Sequence, residues 1–221
     1  MKFKSTAKLD MLEESMAAGA ENLKAFYTAI DEIATFLKDL REKVNKSEVD
    51  KMIGMLVEAW GWGKIILIVG AGRSGLVGRA FAMRLMHLGF RTYVVGETIT
   101  PAIGPNDILI AISGSGSTAI VVTAAEAAKK VGAKVIAITS YRDSPLAKLA
   151  DHVVVVPGRT KTSMEQDYFS RQILGIHEPL APLGTLFELG VAVFLDSVVA
   201  ELMYRLGKSE LEMKYRHAVI E

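Results

Sequence analysis

Residues Ser113–Thr118, in the stretch ISGSGST, set three serines, two glycines and a threonine between an apolar run and a helical one, with no charge among them. At the start of a helix, free backbone N–H groups and the helix dipole favour an anion. Serine and threonine hydroxyls add donors, and glycine lets a ligand approach the backbone. No lysine follows, so the stretch is not a nucleotide P-loop. Donors without a fixed cation suit a compact phosphomonoester, held by Ser113, Gly114, Ser115, Gly116, Ser117 and Thr118. The plainer alternative is a capped helix with a flexible turn. A second turn, GAGRSG at Gly70–Gly75, also joins an apolar run to a helical one. Its three glycines match the dinucleotide fingerprint, and Glu97 follows the next strand, where a ribose-binding acid would lie. A nicotinamide-dependent oxidoreductase is therefore a coherent reading, although it leaves Ser113–Thr118 unexplained. A sugar phosphate uses both turns. Its phosphate would sit on the serine-rich one and its hydroxyls near Gly72, Arg73 and Ser74. Arg73 is then a ligand contact through charge-assisted bonds rather than a surface cation.

These groups need a framework that puts two strand ends side by side. KIILIVG is a continuous β-branched run without alternation, as in a strand buried on both faces of a parallel sheet. RTYVVG, DILIAIS, AKVIAITS and HVVVVP read as further strands. LVGRAFAMRLMHLG, closed by Gly89, AIVVTAAEAAKKVG and the short SPLAKLA read as helices between them. Strands alternating with helices predict an α/β fold, a parallel sheet with helices on both faces. Before about Gly61 the chain is helical. Leu23, Phe26, Ile30, Ile33 and Leu37 form one apolar stripe, and SEVDKMIGMLVEAW is a second helix with Ser47 as its N-cap and Asp50 three residues on. TLFELGVAVFLDSVVAELMYRLG is too apolar for a helix wet on one side and belongs in a core or an interface. Residues from about Pro157 to Pro182 have no period and read as a lid or binding loop, with Met164, Tyr168 and Phe169 inside it.

Composition narrows the class. A chain of 221 residues makes one domain with a helical segment at 1–60 and an α/β core at 61–221. The net charge of +1 gives no case for nucleic acid. The absence of cysteine excludes disulfides, thiolate metal sites and cysteine nucleophiles. No signal-peptide core and no stretch long enough to span a bilayer are present, which predicts a cytoplasmic protein away from membranes.

Taken together, the strand–GAGRSG–helix and strand–SGSGST–helix units resemble the SIS (sugar isomerase) domain family. GAGRSGLVGRAFAMRLMHLGF, VGETITP, ISGSGST, GTLFELG and the terminal RHAVIE resemble its 6-phospho-3-hexuloisomerases of the ribulose monophosphate pathway. The resemblance runs from about Ile65 to the C-terminus. It implies a five-stranded parallel sheet sandwiched by helices, a homotetramer, and interconversion of D-arabino-hex-3-ulose 6-phosphate and D-fructose 6-phosphate without cofactor or metal.

That reaction takes a proton from C2 and returns one at C3 through an enediol, which one carboxylate over that edge can do. Glu188 matches the acid of the family's GT-x-F-E motif. Without the resemblance it reads equally well as an acid placed at a helix N-terminus by the dipole. A second group must move protons between the oxygens or steady the enediolate. His217, in the terminal RH, and His87, between Met86 and Leu88, are the candidates, each with a bland alternative as a solvated or packed imidazole. Glu97 would hold a sugar hydroxyl or fix Arg73. His152 and His177 read as strand-start and loop residues. A 3-ketose phosphorylated at O6 cannot close a five-membered ring through O6, whereas fructose 6-phosphate closes through O5. A histidine that opens rings therefore matters more when the reaction starts from fructose 6-phosphate.

Overall fold

The computed structural model describes residues 23–158 and 184–217. Met164, Tyr168, Phe169 and His177, and the loop they were assigned to, lie outside the described residues. In chain order the elements are α1 (Lys24–Lys43), α2 (Lys46–Gly61), β1 (Ile65–Gly70), α3 (Gly72–His87), β2 (Arg91–Val94), β3 (Ile108–Ile112), α4 (Ala119–Lys130), β4 (Lys134–Thr139), α5 (Pro145–Leu149), β5 (His152–Val155), α6 (Thr185–Leu206) and α7 (Glu210–Tyr215).

The five strands are parallel, in the order β2-β1-β3-β4-β5. The apolar runs of the central strands β1, β3 and β4 lack alternation because both faces are covered, whereas the edge strands β2 and β5 are only partly buried. Ile66, Ile68, Ile108, Ile110, Ile112, Ile136 and Ile138 pack under α2, α3 and α6. The intervening residues Leu67, Val69, Leu109, Ala111, Val135 and Ala137 pack under α4 and α5. The second face uses small partners, Val121, Ala125 and Ala128 of α4, so that helix lies close to the sheet. Each buried isoleucine contributes about 1.5–3 kcal/mol.

Several local details differ from the sequence reading. The N-cap of α2 is Asn45, whose side chain accepts the Ser47 and Glu48 N–H groups; Ser47 is already inside the helix. Asparagine is as good a cap as serine, so the spacing alone did not choose between them. The stripe on α1 is real, but Leu23, Phe26 and Ile30 at its start are exposed in a single chain. The apolar α6 is a core helix: Phe187, Gly190, Val191, Phe194, Leu195, Val198, Val199 and Leu202 are buried, while Leu189, Val193 and Tyr204 face out. Among the described residues, no helix is long and apolar enough to cross a membrane.

Polar residues fix the sheet at its rims. Asp107 accepts the N–H groups of Ile65 and Gly104, both at 2.8 Å. Asp151 accepts the Val135 N–H at 2.8 Å and Lys129 Nζ at 2.6 Å. Burial would raise the Asp151 carboxyl, but the Lys129 hydrogen bond, the Val135 N–H and the charges of Lys129 and Lys134 outweigh it and hold the group below its ordinary range. Buried Glu48 ties α2 to β5. It pairs with Arg142 and accepts the Val155 N–H at 3.0 Å, while its backbone oxygen lies 2.7 Å from His152 Nε2. His152 is thus the strand-start residue expected, with a structural bond.

Candidate active site

The chain leaves β1 to form α3 on one face and leaves the adjacent β3 to form α4 on the other. Such a switch point opens a crevice at the carboxyl ends of the strands. Gly70 pairs in register with Ile112, so the two glycine-rich turns begin about 4.8 Å apart.

The first turn is tighter than a glycine loop preceding a helix. α3 starts at Gly72, so Arg73 and Ser74 stand in its first turn, where the sequence had put the helix start near Leu76. A Cβ on Gly70 would lie 2.9 Å from the backbone of Ser74 and Gly75, and one on Gly75 would lie 2.8 Å from the Gly70 oxygen. Backbone packs on backbone there, which is why a poor helix-forming sequence opens a helix.

In the second turn the six residues divide their work. Ser113 is buried; its Oγ lies 2.9 Å from Thr118 Oγ1 and accepts the Gly116 N–H at 3.1 Å. The loop after β4 braces the same turn. Ser140 N–H and Thr139 Oγ1 donate to the Gly114 oxygen at 3.1 and 3.3 Å, and Leu146 N–H donates to the Gly116 oxygen at 2.9 Å. Thr118 stands at the N-cap of α4, yet its hydroxyl is turned to Ser113 and caps nothing. The N–H groups of Ala119 and Ile120, at the first two positions of α4, have no carbonyl within the helix to reach. Ser115 and Ser117 stand at the open side, with their hydroxyls 3.1 Å apart. The arrangement is a rigid frame around uncapped donors rather than the capped helix of the plainer reading.

Glu188 comes to this crevice on the first turn of α6, mostly buried, with its side chain 18% exposed. The N-cap of α6 is Gly184 in the left-handed region, φ +88°, and its oxygen accepts the Glu188 N–H at 3.0 Å. Arg73 pairs with Glu188 Oε2, and its Nη2 lies 3.3 Å from Thr185 Oγ1. A Cβ on Gly184 would be 3.2 Å from both Arg73 Nη2 and Glu188 Oε1. Glycine is therefore required there for conformation and for room. Thr185 and Gly184 had no role in the sequence reading, although both stand in the GTLFELG motif. Glu97 does not fix Arg73: it pairs with Arg79 of α3 at 3.0 Å and is about half-exposed.

The histidines lie elsewhere in the chain. His87 ends α3, four turns and about 21 Å of helix from Arg73. It is buried, and its ring centroid is 5.0 Å from that of His217, with 35° between the planes. Both line a cavity of about 810 Å³ with Arg84, Asp196, Met203 and Lys214. The contacts of α3 with α6 place Arg73 beside Glu188 at one end and His87 beside Val199 and Met203 at the other, so the two helices run parallel. Within one chain, the crevice and the imidazole pair occupy opposite ends of these helices.

A doubly wound parallel sheet, with open donors at its switch point and a mostly buried acid paired to the neighbouring turn, defines the class of α/β protein whose ligand crevice lies at the carboxyl ends of the strands. Residues 62–172 match the SIS domain family, to which the chain belongs. It is 56% identical over 195 residues to an uncharacterised protein of Aeropyrum pernix, covering 88% of this chain and 92% of the relative. It is 41% identical over 191 residues to the 3-hexulose-6-phosphate isomerase of Mycobacterium gastri, covering 86% of this chain and 87% of that enzyme. A crystal structure of a Methanococcus jannaschii protein, for which a 3-hexulose-6-phosphate isomerase function was inferred, aligns with a TM-score of 0.67 at 36% identity, over 89% of this chain and 98% of the other.

Proposed function

We propose that the protein is a 6-phospho-3-hexuloisomerase, interconverting D-arabino-hex-3-ulose 6-phosphate and D-fructose 6-phosphate without a cofactor. What supports this reading is the pairing of Glu188 with Arg73 on the turn after β1, beside the strand β3 that leads to the uncapped start of α4. The phosphate is held by the α4 N–H groups with Ser115 and Ser117. Gly72, Arg73 and Ser74 take the sugar hydroxyls, with Glu97 at the margin. Glu188 lifts the proton from C2 of the 3-ketose and returns it at C3. The hexulose 6-phosphate isomerase relatives support the choice of substrate.

The turn supplies a test of its own. Ser115→Ala with Ser117→Ala should raise KM about tenfold or more and shift Tm little, because donors to the ligand are lost and the bonds removed join these two residues to each other on the open side of the turn. Ser113→Ala should lower stability by about 1 kcal/mol as well as raising KM, because the partly buried Ser113–Thr118 hydroxyl pair is broken while the Gly116 N–H keeps its bond to the Ser113 carbonyl. An unchanged KM in the double variant would move the phosphate elsewhere.

The active assembly is a homotetramer in which His217, and with it His87, serves the crevice of a neighbouring copy. The length of α3 separates the pair from Glu188 within one chain. The exposed apolar face of α1 and the outer face of α3, with Leu76, Met83 and Met86, offer area for such contacts. Glu188→Gln and His217→Asn tetramers, each poorly active alone, should regain activity when subunits are exchanged. At equal mixing about a quarter of the sites would carry both groups intact. No recovery on exchange, or a fully active monomer by light scattering, would refute the shared site.

A further inference from the structure

The ion pair between Arg73 and Glu188 joins the proposed base to a cation that the phosphate site does not need. The start of α4 and its serines serve the phosphate, and Arg73 belongs to the other turn. Its guanidinium is half-exposed while the carboxylate is mostly covered, so the pair presents its cationic side to the crevice. Thr185 Oγ1 accepts a hydrogen bond from the guanidinium, and the missing side chain of Gly184 leaves room for it beside the carboxylate. We propose, on the isomerase reading above, that Arg73 is a second catalytic residue, whose guanidinium holds the enediolate oxygens as Glu188 takes the proton from carbon.

The charges balance at each step. The C2–H bond breaks and its proton goes to the Glu188 carboxylate. The electron pair forms the C2–C3 double bond, and the carbonyl pair moves onto O3. The negative charge thus leaves the carboxylate and appears on the substrate, beside the same cation. No charge is created in the low-dielectric crevice; one is displaced across the guanidinium. A proton then passes from O2 to O3, and the charge moves to O2. A planar fork spans two vicinal oxygens, which a lysine ammonium does not. Protonation of C3 by Glu188 forms the product and restores the original pair. A cation fixed beside the base also explains why this position is arginine rather than any hydrogen-bond donor.

The test uses the full-length protein with Arg73→Ala and Arg73→Lys. Both should lower kcat at least ~100-fold, while the Kd for fructose 6-phosphate, measured by calorimetry, changes by less than ~10-fold. Guanidine hydrochloride at tens of millimolar should raise kcat of Arg73→Ala at least ~10-fold and do nothing for Glu188→Gln. Arg73→Ala with raised KM and unchanged kcat would make Arg73 a ligand anchor only. Lost rate without guanidine rescue, accompanied by a lowered Tm, would make it a structural partner of Glu188. Either result overturns the proposal. A wild-type protein that isomerises no hexulose phosphate defeats the isomerase reading before any variant is made, and the proposal falls with it.

Discussion

Glu188→Gln should lower kcat by at least ~10²–10⁴-fold, with substrate affinity measured separately little changed. The substitution keeps the size of the side chain and removes the carboxylate that must accept a carbon-bound proton. Glu188 is mostly buried and paired with Arg73, which leaves little room for a water molecule to act as base in its place. The amide also removes the negative charge that faces Arg73 in the wild type. Tm should still stay within a few degrees of wild type, since the amide keeps the packing of the side chain and the Arg73 guanidinium is half-exposed to water. Activity within tenfold of wild type would remove Glu188 from the chemistry and turn attention to Glu97 or His217.

The second large effect concerns Gly116→Ala. Gly116 has φ +62°, and a Cβ there would lie 2.1 Å from Ser144 Oγ and 2.4 Å from Ser144 Cβ. A non-glycine residue in the left-handed region costs about 1–2 kcal/mol, and displacement of Ser144, which caps α5, adds to it. A total loss of about 2–4 kcal/mol is expected. That corresponds to a fall in Tm of roughly 5–15 °C for a chain of this size. The distorted turn should also raise KM at least ~10-fold, because the donors around α4 lose their frame. Gly54→Ala is the control. Gly54 stands exposed within α2 with nothing within 4 Å of its Cβ position, and alanine there should stabilise by about 0.5–1 kcal/mol. If Gly116→Ala melts no lower than wild type, the close packing of the turn on Ser144 is wrong.

The strands were readable because Ile65–Val69 and its counterparts are covered on both faces and so carry an unbroken apolar run. Gly89 was readable as a helix stop because it takes φ +90°, a conformation glycine adopts without cost. The start of α3 was not, since Gly72 and Gly75 argue against a helix locally and only the packing of Gly75 on Gly70 makes one. The order of the strands was equally hidden. β2 and β3 follow each other in the chain but sit on opposite sides of β1, and only the side each helix covers decides this. In the site, residue types named the candidates, but not who meets whom. Arg73 stands 112 positions from Thr185, and slightly further from Glu188, with interactions that no local pattern records. Glu97 was offered Arg73 as a partner and found Arg79, one face of α3 further on. The pairing of His87 with His217 depends on α7 folding back, with Met213 buried and Arg216 against Gly89.

The most direct measurement of the central claim follows D-fructose 6-phosphate in deuterated water by NMR, with the purified protein and no added nicotinamide or metal. The account predicts that the 3-hexulose 6-phosphate appears, that deuterium enters fructose 6-phosphate at C3 and the hexulose at C2, and that Glu188→Gln abolishes both. Label at C1 would contradict it, because that edge belongs to an aldose–ketose isomerase. Stabilisation of the protein by fructose 6-phosphate, with no label and no product, would contradict it too, and would make the protein a sugar-phosphate-binding regulator.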